Sequence, residues 1–105
     1  MTAKSVRTRT TAEAELQSAI AYYMNEGAFD AALGLVDEFE DALATIGNHP
    51  AIGSPRLELE LGIPDVRSFA LRTYPYVIVY FDTAEFVDVR HVLHSSRDIP
   101  TRMTD

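Results

Sequence analysis

The 105-residue sequence has no cysteine, so neither a disulfide nor a thiolate metal site can help fold it, and a reducing compartment suits it. No apolar run approaches the roughly 20 residues that span a bilayer, and the start, Met1-Thr2-Ala3-Lys4, has no apolar signal core behind it. A cytoplasmic protein without a membrane partner is the expectation. Lys4 is the only lysine and no glycine-rich phosphate loop occurs, which removes the conventional phosphate-binding motifs. Cations are scarce altogether: nine Lys and Arg stand against sixteen Asp and Glu, for a formal charge of -7. That field opposes non-specific attraction to nucleic acid, so a protein partner, one of basic character, is the simpler expectation. Internal repeats, linkers and low-complexity segments are missing as well.

What is present is the composition of an ordinary soluble domain, 47% hydrophobic and 24% charged, in a chain long enough for one core. We read residues 1–105 as a single domain. Tyr76-Val77-Ile78-Val79-Tyr80-Phe81 is the most apolar and most β-prone stretch, and it predicts a central strand. Upstream, Ser5 to Arg9 has a weak edge-strand alternation, and Thr10 with Glu13 has the spacing of a capping box at a helix start. Leu16, Ile20 and Tyr23 follow at helical spacing until Asn25-Glu26-Gly27. Phe29, Ala32, Leu33, Val36, Phe39, Leu43 and Ile46 then predict a second helix with one apolar stripe, about 27 Å long at 1.5 Å per residue. Gly47-Asn48 and Pro50 end it, and the short connection between the two helices predicts an antiparallel hairpin.

The stretch from His49 to Asp65 reads as a connector, with Leu57, Leu59 and Leu61 alternating with Glu58 and Glu60 as in a short extended segment. Three strands follow: Val66 to Arg72, the central run, and Phe86 to His94. On the last, strict alternation puts Val87, Val89, His91 and Leu93 on one side and Asp88, Arg90, Val92 and His94 on the other. Tight turns at Thr73-Tyr74-Pro75 and Asp82 to Glu85 imply an antiparallel meander. The fold class is α+β, in the order β-α-α-β-β-β, with a helix hairpin packed on one face of a small, mainly antiparallel sheet.

Few residues suggest chemistry. His94, Ser95, Ser96 and Asp98 are the residue types of a hydrolase triad, but groups this close in sequence seldom converge as nucleophile, base and orienter. His91 and His94 are an odd number apart on a strand and face opposite sides, so they do not share a metal. The acidic residues Asp37, Glu38, Glu40 and Asp41 on the second helix read as a solvated face, or as a docking surface for a basic partner. No cofactor is implied.

Several blocks in order resemble the ParE toxins of the RelE/ParE superfamily, the plasmid-stabilisation toxins of bacterial toxin-antitoxin pairs. They are His49-Pro50-x-x-Gly53-x-Pro55; the Arg67-x-Phe69 strand; Tyr74-Pro75-Tyr76-Val77-Ile78-Val79-Tyr80; and Val92-Leu93-His94-Ser95-Ser96-Arg97-Asp98-Ile99-Pro100. The resemblance implies the same β-α-α-β-β-β fold and offers two activities. RelE-like members cut messenger RNA in the ribosome with basic residues on the second, third and fourth strands; the corresponding positions here are Ser68, Ala70 and Val77, leaving only Arg97 of that set. ParE-like members are implied to have no active site of their own, to bind DNA gyrase and trap its cleaved complex, and to be neutralised by a ParD-like antitoxin. We take that reading, with a RelE-type ribonuclease or an inactive homologue as alternatives. On it, target contacts are expected at His94, Arg97 and Asp98, with Arg67 and Arg72 nearby on the sheet. The family often carries Arg three residues before the His94 position; here that residue is His91, and Arg90 is displaced by one.

Overall fold

The Val-rich run forms β3, Tyr76–Asp82, with β2, Val66–Ala70, and β4, Phe86–His94, antiparallel on either side of it. The computed structural model describes residues 3–95, so the expected contact residues Arg97 and Asp98 lie outside the described residues. β1, Ser5–Thr8, adds to β4 in parallel, which gives the four-stranded order β1-β4-β3-β2. The helices α1, Thr10–Asn25, and α2, Phe29–Asn48, form the expected hairpin and pack on one face of the sheet. Their shared core holds Leu35, Phe39, Ile46, Ile78, Tyr80, Val87 and Val89.

Four local expectations give way, each for a physical reason. The capping box does not form, because Arg9 rather than Thr10 is the cap. The Arg9 amide donates to the Val89 carbonyl and its guanidinium to Asp88, so the chain is still tied to the sheet there, and the Arg9 carbonyl takes the Glu13 amide. The apolar stripe of α2 is rotated. Ala32, Leu35, Phe39, Ala42 and Ile46 are buried, while Phe29 and Leu33 are 56% and 66% exposed. Tyr74 packs on the rotated face: its hydroxyl donates to the Ala31 carbonyl at 2.7 Å and lies against Gly34, where a Cβ would collide with it.

The leucine alternation at Leu57 to Leu61 is helical, not extended. Arg56–Leu61 forms α3, closed by Gly62 at φ 68° and bridged by Arg56 to Glu60 at 2.7 Å, so that Leu57 turns inward and Leu59 outward. This helix covers the sheet face opposite the hairpin, packing Leu57 and Leu61 over Val66, Val77, Val79 and Leu93. Helical cover is therefore on both faces. Finally, β4 does not alternate strictly. A register shift leaves Val79 opposite His91 and Tyr80 opposite Val89, with Arg90 as the extra residue of a β-bulge. Beyond the bulge the phase reverses, so Val92 joins Val87 and Val89 on the hairpin side and Leu93 faces α3.

Candidate functional site

The sequence blocks that carry the resemblance converge on one internal clamp. Tyr80 is fully buried; its hydroxyl donates to the Pro50 carbonyl at 2.7 Å and accepts from the Gly53 amide at 2.9 Å. Burial pushes this phenol up, and at Gly53 a Cβ would meet the hydroxyl, so only glycine lets the backbone approach. Arg67 completes the clamp by donating to the Gly53 carbonyl at 2.9 Å and the Ala51 carbonyl at 3.2 Å. Ser54 then bridges Ser68 through both backbone groups and closes half of the β2 edge. His49-Pro50-x-x-Gly53, Arg67 and Tyr80 are therefore parts of one structural unit, and Arg67 is spent on positioning the connector.

Of the other expected contact residues, Arg72 and His94 are brought to the same end of the sheet. Arg72 is exposed at the start of the β2–β3 turn, where its amide and that of Thr73 donate to the Glu38 carboxylate at 2.6 and 2.7 Å. The Thr73 amide is the main reason the Glu38 carboxyl titrates below its ordinary range. Glu38 was grouped with the solvated acids of α2, yet it fastens that helix to the sheet. His94 pairs with Tyr76 across β3, and its ring meets the tyrosine edge-on at 5.5 Å. Arg67 lies further down β2, opposite Tyr80.

Two further surfaces stand out. At the tip of the hairpin, Tyr22, Met24, Phe29 and Leu33 leave a cluster of large apolar side chains 46% to 66% exposed. Beside it, α2 and β2 enclose an open cleft of about 640 Å³, walled by Asp37, Glu38 and Asp41 and floored by Ala42, Phe69 and Leu71. Ser68 turns its backbone groups outward to Ser54 and the Leu71 amide turns inward to Tyr76, so alternation points the Ala70 amide and carbonyl outward at this edge. Residues 10–48 carry eight carboxylates and no Lys, Arg or His, so the helical layer holds more than the whole net negative charge of the chain.

The second surface lies on the outer face of β1 and β4. Asp88, only 3% exposed, accepts from Arg9 Nε and Nη2 at 3.0 and 2.9 Å and from Arg90 Nε at 3.0 Å. Burial pushes the Asp88 carboxyl up, but the hydrogen bonds and charges of the two arginines outweigh it and hold the group below the usual carboxylate range. Arg90 lies over the Phe81 ring, 3.9 Å from its centroid, and Arg7 over Phe86 at 4.2 Å. The one signal for this cluster was an aspartate in a valine strand with an arginine two residues on; the bulge hid the rest.

Comparison with known proteins accords with this architecture. No curated protein matches the chain. Among solved structures, a chain of the chromosomal ParDE TA system from P. aeruginosa superposes with a TM-score of 0.73 at 16% identity, over 87% of this chain and 95% of that one, a likeness of fold. The sequence model described as ParE toxin of type II toxin-antitoxin system, parDE, matches residues 6–99. Because that match takes in both helices, all four strands and the Tyr80 clamp, the chain belongs to the ParE toxin family of type II toxin-antitoxin systems.

Proposed function

We propose that this chain is the toxin of a type II pair, that it binds DNA gyrase and traps the cleaved complex, and that a ParD-like antitoxin neutralises it. The family match over residues 6–99 is the observation that carries the reading. The positions where a RelE-type ribonuclease would place cations support it: Ser68 is bridged to Ser54, Ala70 is an exposed edge residue and Val77 is packed under α3. A single preorganised donor to a transition-state charge is worth about 3 kcal/mol, so losing several disfavours phosphoryl transfer.

The antitoxin would cover the tip of the hairpin with an apolar helix face and run its tail along the acidic cleft, adding a strand at Ala70. Its cleft-binding segment would be basic, since Asp37 and Asp41 line the path. Target contacts would centre on the sheet end that holds Arg72 and His94, with Arg97 and Asp98, outside the described residues, as the other expected contacts. Gyrase supercoiling and DNA-cleavage assays test the reading. Inhibition with accumulated cleaved DNA, reversed by the antitoxin, is expected; no effect of folded protein at micromolar concentration would overturn it.

A further inference from the structure

The net charge of -7 disguises a cationic strip. Three of the seven Lys and Arg side chains among the described residues, Arg7, Arg9 and Arg90, stand together on the outer face of β1 and β4. Arg9 and Arg90 both bond Asp88, and Arg7, the register partner of Asp88, lies over the Phe86 ring instead, so one carboxylate serves two of the three guanidinium groups. At the turn end, Lys4 holds Asp82 at 2.7 Å and Glu85 bounds the strip. The opposite layer holds the eight carboxylates of residues 10–48, a stretch with no Lys or Arg. A polyanion is therefore repelled by the hairpin face and admitted on the strip.

The arginines are also held in place before any ligand arrives. Ring stacking fixes Arg7 and Arg90, and the two-point bond to Asp88 fixes Arg9. Asp88 takes one of the five N–H donors of Arg90 and two of those of Arg9, while among the described residues no hydrogen bond engages the Arg7 guanidinium. The remaining donors are on exposed or half-exposed side chains, with Arg9 57% and Arg90 39% accessible. Planar guanidiniums with free forks suit phosphate oxygens. Both neighbouring rings are already covered by guanidinium, so the face offers no stacking platform for unpaired bases.

We infer that Arg7, Arg9 and Arg90 form a contact surface for the phosphate backbone of duplex DNA, bound without regard to sequence. The inference goes beyond the gyrase reading and is tested without a topoisomerase, so the two succeed or fail separately. The full chain is titrated into a fluorescein-labelled duplex at several salt concentrations and binding is followed by anisotropy. Three phosphate contacts predict a slope of log affinity against log salt of about -2.7. Arg7→Gln, which breaks no hydrogen bond, should weaken binding about tenfold at roughly 50 mM salt and reduce the slope by about 1. Arg90→Gln, which leaves Arg9 on Asp88, should do the same, whereas Arg56→Gln on α3 removes equal charge and should change affinity less than twofold. Three results would each overturn the inference: no binding at low salt, equal loss in the Arg7 and Arg56 variants, or tighter binding of single-stranded DNA or of duplex RNA.

Discussion

Tyr80 joins the fold's central strand to a connector thirty residues upstream in sequence, and its hydroxyl is the reason Gly53 has no substitute. Tyr80→Phe would strand the Gly53 amide and the Pro50 carbonyl, and should lower stability by about 1–3 kcal/mol in urea unfolding. Gly53→Ala should cost a similar ~1–3 kcal/mol by overpacking. Asp88 sets a pH dependence at the same scale. Its folded pKa is depressed, so its contribution is complete above the unfolded carboxylate value of about 4 and is lost as pH falls through the folded value. Asp88→Asn should therefore be less stable than the parent at pH 6, and the gap in Tm should close below about pH 4. The tyrosines divide between core and rim: Tyr76 and Tyr80 are buried, Tyr23 and Tyr74 meet edge-on at 5.6 Å, and Tyr22 is exposed.

The facing of α2 keeps Ala32, Phe39 and Ile46 of its apolar stripe buried but seats Gly34 against Tyr74. Gly34→Ala raises helix propensity by about 1 kcal/mol, but its Cβ meets the Tyr74 hydroxyl. We predict that Gly34→Ala destabilises the parent chain and that in a Tyr74→Phe background, where the hydroxyl is gone, the same substitution stabilises by about 0.5–1 kcal/mol; a double-mutant cycle in urea reads both signs. The rotation is also what leaves Leu33 outward. Leu33→Glu should change stability by no more than about 0.5 kcal/mol, yet weaken antitoxin binding at least about tenfold by calorimetry if the hairpin tip is an anchor of that interface. An unchanged affinity would remove the tip from the interface. In β4, the bulge at Arg90 decides which side chains beyond it share a face: Val92 joins Val87 and Val89 on the hairpin side, and strand alternation read from sequence fails after Val89.

At the scale of the molecule the protein is polar in the electrical sense, with an acidic helical layer on one side and arginines on the outer face of β1 and β4. On the proposed function, a basic antitoxin segment would take the hairpin and cleft, and the target would contact the sheet and the end that holds Arg72 and His94. Ser68→Lys with Ala70→Lys, which restores cations where a ribonuclease would have them, should leave gyrase binding unchanged in a pull-down with the purified enzyme. Lost binding would move the target surface onto β2.

Composition, turn residues and apolar periodicity were enough for the order β-α-α-β-β-β, the central place of Tyr76 to Phe81, and the stops at Gly27 and Asn48, because each depends on interactions within a few residues. The blocks His49-Pro50-x-x-Gly53, Arg67 and Tyr80 were legible as a pattern, while the clamp they form was not, since its partners are 14 to 30 residues apart in sequence. Rotation of α2, the helix at Arg56–Leu61 and the β4 bulge came only with tertiary structure. Each turns on a long-range neighbour or on which face is covered, and a one-dimensional period carries no record of either. The same limit applies to charge: the sequence sums to -7, and only the folded sheet brings Arg9 and Arg90 onto one buried aspartate, with Arg7 on the neighbouring strand.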